Sequence, residues 1–260
     1  MNNVVDVIMN RMSLRKYDER PISREHADVI LECAMRAPTA GNMMLYSIIN
    51  IEDQNKKKIL SKTCDDQPFI ADAPLVLVFL ADYQRWYDYY VHSDVHSYCK
   101  SKGIDFEGPS EANLLLASCD AIIAAQNAVI AGEALGIGSC YIGDIMENYE
   151  THRELLNLPK WVFPVGMLCM GYYPAGYNRV KRERFDKKYI VHTDSYSDLY
   201  KENFKETFKD IEKRFKAENK YDADNMGQLH YAFKTGADFS KEMARSVKEA
   251  LKNWSSEKIK

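Results

Sequence analysis

Arg11, Ser13 and Arg15 stand at alternate positions near the start of the chain, with Lys16 beside them. In an extended segment that spacing points all three side chains to one side. Two planar, bidentate guanidinium donors and a hydroxyl on one side suit a phosphate. Taken alone, the segment reads first as a solvated basic patch. A second basic cluster, Lys181-Arg182-Glu183-Arg184-Phe185, carries the same two readings. Ala37-Pro38-Thr39-Ala40-Gly41-Asn42 is a run of small residues that lets a planar ligand approach the backbone. Asn42 can donate and accept at a heteroaromatic edge. The plainer reading of this run is a loop that stops a helix. Gly136, Gly138 and Gly143 do not form G-x-G-x-x-G and no strand precedes them, so a Rossmann dinucleotide site is poorly supported. Their ligand role would lie in backbone amides, and the plain alternative is a tight helix-to-strand connection.

Other chemistry is sparse. No convincing catalytic triad is present. His92 and His96 stand four apart with Cys99 following, a spacing that metal sites use, but no Glu lies between them as in H-E-x-x-H. No metal is expected. The aromatic stretch from Tyr83 to Tyr98 reads either as core packing or as a mobile lid that stacks on planar substrates. The six cysteines are scattered without a C-x-x-C pair, which suits buried, reduced thiols in a cytosolic protein; Cys119 and Cys140 read as structural. A net charge of -3 gives no bulk attraction to nucleic acid or to an anionic membrane, so an anion site must be a local concentration of positive charge. No stretch is read as approaching the roughly 20 apolar residues that span a bilayer. Met1 to Asn10 lacks the basic and apolar regions of a secretory signal, so the expected location is cytoplasmic.

The elements that must position these residues follow from periodicity. Helices are expected over residues 4–12, with Val5, Ile8 and Met9 on one face, over residues 23–35 behind a Ser23 N-cap, and over residues 54–62 and 150–156. Residues 46–51, 75–80, 139–142 and 162–172 read as strands, and residues 189–192 as a short β-like segment. Leu114 to Leu135 is the strongest helix signal and is apolar nearly all round, so it is expected to be buried and to meet a partner subunit. After about Ser195 the composition turns Lys/Glu-rich, with amphipathic helices expected over 198–219 and 240–254. The expected domains are residues 1–195 and a charged helical extension, residues 196–260. One sheet flanked by helices, α+β or α/β, accommodates this order.

Together the segments resemble the nitroreductase family. The opening Arg11-x-Ser13-x-Arg15 with Pro21 and Ser23, and then Ala37 to Asn42, is similar to the family's start. Asp66-Gln67-Pro68-Phe69 with Ala73-Pro74-Leu75-Val76 is similar to its next segment. Gly136-Ile137-Gly138-Ser139 to Ile142-Gly143 and Pro174 with Arg182-x-Arg184-Phe185 are similar to its later ones. The resemblance spans about residues 4 to 193, and the subgroup most resembled is the oxygen-insensitive, NADPH-preferring flavin reductases. It implies an α+β homodimer with a mixed, mainly antiparallel sheet and two FMN groups at the subunit interface. Arg11, Ser13 and Arg15 would hold the phosphate and the pyrimidine side. Pro38, Thr39, Gly41 and Asn42 would line the ring and phosphate region, and Gln67 would bond the flavin or shape its pocket. Ile142 and Gly143 would offer backbone groups near the flavin N5, and Arg184 with Lys181 or Arg182 would complete the phosphate site. The implied activity is ping-pong transfer of a hydride from NADPH or NADH to small planar acceptors such as nitroaromatics, quinones or flavins, with the flavin carrying the chemistry. The alternatives on the same fold are a non-redox flavin- or nucleotide-binding sensor and a reductive dehalogenase.

Overall fold

The computed structural model describes residues 4–255; the parts of the terminal readings that fall on residues 1–3 and 256–260 lie outside the described residues. In chain order the elements are α1 (Val4–Asn10), α2 (Arg24–Met35), β1 (Tyr46–Asn50), α3 (Gln54–Thr63), α4 (Phe69–Asp72), β2 (Leu75–Asp82), α5 (Gln84–His92), α6 (Val95–Lys102), α7 (Glu111–Ala134), β3 (Ile137–Ile142), α8 (Tyr149–Leu155), β4 (Val162–Tyr172), α9 (Lys201–Thr207), α10 (Lys209–Glu212), α11 (Met226–His230) and α12 (Asp238–Leu251).

Every residue of β2 is buried, which is why its sequence is apolar without alternation. The strand lies inside an antiparallel four-stranded sheet of order β1-β2-β4-β3. Period-two alternation sorts its side chains onto two covered faces. Leu75, Leu77 and Phe79, with Leu168 and Met170 of β4, pack with Ile30 and Ala34 of α2 and with Ala121, Ala124, Ala125 and Ala128 of α7. Val76, Val78 and Leu80 join Cys140, Ile142, Met167 and Cys169 against Leu60, Ile70 and Ile145. A third cluster closes one end with Trp161, Phe163, Tyr149 and, from the C-terminal segment, Ala250 and Trp254. Local signals start the helices. Ser23 Oγ accepts from His26 N–H, Asp53 accepts from Asn55 and Lys56 N–H, and Asn113 Oδ1 accepts from Ser110 N–H.

Two compact units result. One runs through Arg179 and takes up the chain again from Glu242; the other is Val180–Lys241. The composition change near residue 195 therefore falls inside the second unit, and the last helix contributes core residues to the first. The reason is Trp254, 1% exposed, and the bond from Trp161 Nε1 to the Asn253 carbonyl at 2.8 Å. In the second unit the expected continuous helix over 198–219 is two short helices, α9 and α10, and the β-like segment at 189–192 is replaced by a 3-10 turn at Lys187–Tyr189, capped by Asp186. Inside that unit Lys188 Nζ lies 2.7 Å from Glu206, and Phe185 meets Phe208 at 5.1 Å between ring centres.

α7 corrects one expectation. It is long and apolar enough to cross a membrane, contrary to the reading that no stretch is. Its apolarity has a packing cause, because Ala117, Ala121, Ala124, Ala125, Ala128 and Val129 cover the sheet with no exposure. It is also not buried all round in the single chain, since Leu115, Leu116, Ile122 and Ile123 are exposed on its outer face. Val5, Ile8 and Met9 of α1, which contacts α7, are likewise exposed. Cys119 is exposed too, unlike the buried Cys64, Cys99, Cys140 and Cys169.

Candidate functional site

Past α1 the chain runs extended alongside the free edge of β3. Ser13 pairs with Ser139 in a parallel bridge, and Leu14 N–H donates to the Ser139 carbonyl at 2.9 Å. Leu14 is fully buried, so Arg11, Ser13 and Arg15 share the opposite side, the first two half-buried and Arg15 exposed. This approach depends on Gly138. A Cβ there would lie 2.7 Å from Leu14 Cδ2 and 2.7 Å from the Tyr173 ring. All three side chains act on Cys140 of β3. Burial pushes its thiol pKa up, and Arg15, a hydrogen bond with Ser13, and Arg11 pull it back down. Arg15 also sits over the Phe69 ring, 5.9 Å from its centre. Among the described residues neither Arg11 nor Arg15 enters an ion pair.

Behind Arg11 stands the buried Glu133, which accepts from the Tyr173 hydroxyl at 2.6 Å and lies 3.7 Å from Arg179. Burial raises its pKa, while the Tyr173 bond, Arg179 and Arg11 lower it.

β3 ends at the buried Ile142, and Gly143 follows, exposed. A Cβ on Gly143 would meet nothing within 4 Å, so the protein itself gives no steric reason for glycine there. Gln67 donates its amide to Asp144 Oδ2 at 2.7 Å and to the Cys64 carbonyl at 2.9 Å. Its side chain thus ties the segment before α4 to the turn after β3. The same turn is held from behind. Asn148 Nδ2 donates to the Thr63 carbonyl at 2.8 Å, and Asn148 N–H to Glu242 of α12 at 3.2 Å. His152, fully buried, bonds the Ile145 carbonyl through Nδ1 at 2.8 Å and Thr63 Oγ1 through Nε2 at 2.7 Å.

The small-residue loop is built separately. Its chain direction reverses through left-handed Gly41 (φ 55°), Asn42 (φ 57°) and Met44 (φ 51°). Asp120 of α7, 3% exposed, accepts from Ala40 N–H at 3.0 Å and from Leu45 N–H at 3.2 Å, and Thr39 Oγ1 accepts from Met44 N–H at 3.1 Å. Pro38, Gly41 and Asn42 are left exposed and Thr39 half-buried.

The structure therefore brings Arg11, Ser13, Arg15, Gln67, Ile142 and Gly143 together around β3, and groups Pro38, Thr39, Gly41 and Asn42 on a loop fixed by Asp120. Among the described residues no hydrogen bond joins the two groups. Lys181, Arg182 and Arg184 belong to the second unit and are exposed there. His92 and His96 fall on different helices, α5 and α6, separated by Asp94 in the left-handed region (φ 54°), so they do not share one helical face. The aromatic stretch is divided. Trp86 and Tyr87 pack on the third cluster, with Trp86 Nε1 donating to the Met43 carbonyl at 2.7 Å, while Tyr89 and Tyr98 are exposed. Sequence reasoning missed Asp120, Glu133 and the Asp144 turn as supports. A charge inside an apolar helix signals the first two; Asp144 and Glu147 carry no comparable signal.

The model of the Nitroreductase family matches residues 8–172. The FMN reductase [NAD(P)H] of Bacillus subtilis strain 168 is 32% identical over 196 residues, 75% of each chain. The CR(VI) reductase of Pseudomonas sp. strain G-1 is 32% identical over 194 residues, again 75% of each. The structure of NfrA2 from B. megaterium superposes with a TM-score of 0.78 at 27% identity, covering 99% of this chain and 100% of that one. A match across both faces of the sheet and the segments that border β3 leaves one assignment: this chain belongs to the nitroreductase family.

Proposed function

We propose that the chain is an FMN-dependent oxidoreductase that takes reducing equivalents from NADPH or NADH and reduces small planar acceptors such as nitroaromatics, quinones or flavins. The observation that carries this reading is the pair of unpaired guanidinium groups, Arg11 and Arg15, set with Ser13 on one side of a strand that leads to an open Gly143. That donor set suits FMN: two cations that enter no ion pair among the described residues and a hydroxyl for a phosphate, and uncovered backbone for a flat ring. When bound, FMN supplies the redox chemistry, accepting a hydride from the nicotinamide and passing the electrons to the acceptor. Arg11, Ser13 and Arg15 hold the phosphate and the pyrimidine side, and their charge favours an anionic reduced cofactor. Gly143 and Ile142 present backbone groups to the ring, and Gln67 fixes that turn. Lys181, Arg182 and Arg184, exposed in the second unit, are candidates for the phosphate on the resemblance alone.

The working unit is a homodimer in the cytoplasm. The exposed apolar faces of α7 and α1 cover one another across the interface, with the helical stretch beyond residue 195 packing on the dimer. The loop carrying Pro38, Thr39, Gly41 and Asn42 then completes the flavin site there. Tyr89 and Tyr98, both exposed, act as a lid over it.

Purified protein should be yellow, with a flavin absorbance band that NADPH bleaches under anaerobic conditions. A colourless protein that FMN does not reconstitute would overturn the reading. Sedimentation of the holoprotein at the monomer mass would overturn the dimer.

A further inference from the structure

Glu147 lies on the turn that follows Gly143, and the functions assigned so far leave it unused. It is 4% exposed, and its Oε1 is buried without a hydrogen-bond partner. Its backbone N–H donates to the Asp144 carbonyl at 3.0 Å, and its carboxyl group lies within hydrogen-bonding reach of the Asp144 carboxyl group. Asp144 is in turn the acceptor of the Gln67 amide.

Among the described residues, what acts most on Glu147 is burial and other acids, and none of these is a cation. From its own turn it faces Asp144. From the C-terminal end of α3 it faces Asp65 and Cys64, from α12 Glu242, and from α8 His152, whose ring is held by backbone carbonyls. Arg245, which pairs with the neighbouring Glu242, is spent on Glu150 and Glu242. A buried carboxyl group beside another carboxylate keeps its proton, and the protonated form is a donor.

We propose that Asp144 and Glu147 share one proton, Glu147 donating to the Asp144 carboxylate, and that Glu147 is thereby a positioning residue for Gly143. The pair keeps Asp144 turned towards Gln67, and so holds the turn whose backbone meets the ligand. This rests on the reading of Gly143 as a flavin contact. Burial, the Asp144 charge and the bond with Asp144 together push Glu147 up to about 8. Above that pH two adjoining carboxylates repel, and the turn loosens.

The test compares the wild-type protein with Glu147→Gln, whose amide donates to Asp144 at every pH. The first readout is FMN affinity, followed by flavin fluorescence between pH 7 and 9. The wild-type Kd should rise up to about tenfold, with the variant flat by comparison. The second uses FMN-free protein. Glu147 keeps its proton in the fold to about pH 8, whereas an unfolded glutamate loses it near 4.5. The wild type should therefore lose Tm relative to the variant as pH rises from 4.5 to 8, and no further above. The third is an infrared carboxylic-acid band at pH 7 that the variant lacks. Equal pH dependence of FMN affinity in the two proteins overturns the positioning role while leaving the flavin reading intact. Absence of both the Tm divergence and the infrared band overturns the shared proton. Failure of both proteins to bind FMN at pH 7 overturns the flavin reading and the positioning role with it, and the two cofactor-free readouts still decide the proton.

Discussion

Leu14 donates its backbone N–H to the Ser139 carbonyl at 2.9 Å. That bond, with the Ser13–Ser139 bridge, sets the register of the extended segment 11–15 against β3, and with it the side on which Arg11, Ser13 and Arg15 emerge. Replacing Arg15 by Ala removes one guanidinium from that side without touching the core. A lost charge-assisted contact to phosphate is worth about 1.5–3 kcal/mol. FMN affinity should weaken by roughly 10- to 100-fold, with Tm of the cofactor-free protein unchanged. Titration of apoprotein with FMN measures it, and an unaltered Kd removes Arg15 from the site.

Gly138 lets Leu14 come this close. Gly138→Ala puts a methyl 2.7 Å from both Leu14 and the Tyr173 ring. Overpacking of this kind costs about 1–3 kcal/mol, and here the yielding part is the strand that carries the arginines. The variant should lose both stability and FMN affinity, unlike Arg15→Ala. Urea unfolding and FMN titration separate the two cases.

Asp120 interrupts the apolar face of α7 because it is the acceptor for Ala40 and Leu45 N–H. Asp120→Ala leaves these donors without partners in a buried setting. A loss of about 2–6 kcal/mol in unfolding free energy is expected, at about 1–3 kcal/mol for each unsatisfied buried group. Hydrogen exchange of residues 38–45 should rise. Unchanged exchange there would show that the loop is held by something else.

His152 gives an acid limb to stability. Burial is the main cause that lowers its pKa from 6.5, against opposing bonds to backbone carbonyls. The unfolded chain takes up the proton first, so the stabilisation is present above about pH 6.5 and falls as pH drops below it, by at most about 1.4 kcal/mol per unit. Unfolding free energies measured from pH 7.5 to 5 should show the wild type losing this margin relative to His152→Gln. Parallel curves would refute the assignment.

Much of the sheet was readable in advance because β2 and β4 are covered on both faces, and burial leaves an unbroken apolar run in the sequence. The alternation of Arg11, Ser13 and Arg15 was readable for a similar reason, since Leu14 between them points to the core. What was not readable depends on partners distant in the chain. Trp254 belongs to the core through Trp161, ninety-odd residues away, and no local pattern announces it. The polar supports are of the same kind. Gln67 meets Asp144 across 77 positions of chain, and Thr63 meets His152 across 89. In the second unit, charged and aromatic residues alternate without a sustained period, and the expected long helix broke into short pieces.

The return of the chain to the first unit at Glu242 has a consequence for how this protein tolerates damage. Residues 180–241 leave and re-enter the same body, and Ala250 and Trp254 anchor the far end in it. A protease that cuts inside that excursion severs the polypeptide but not the core. The two fragments remain joined by side-chain packing and by hydrogen bonds such as Trp161 Nε1 to the Asn253 carbonyl, and nicked protein should migrate as one species until denatured.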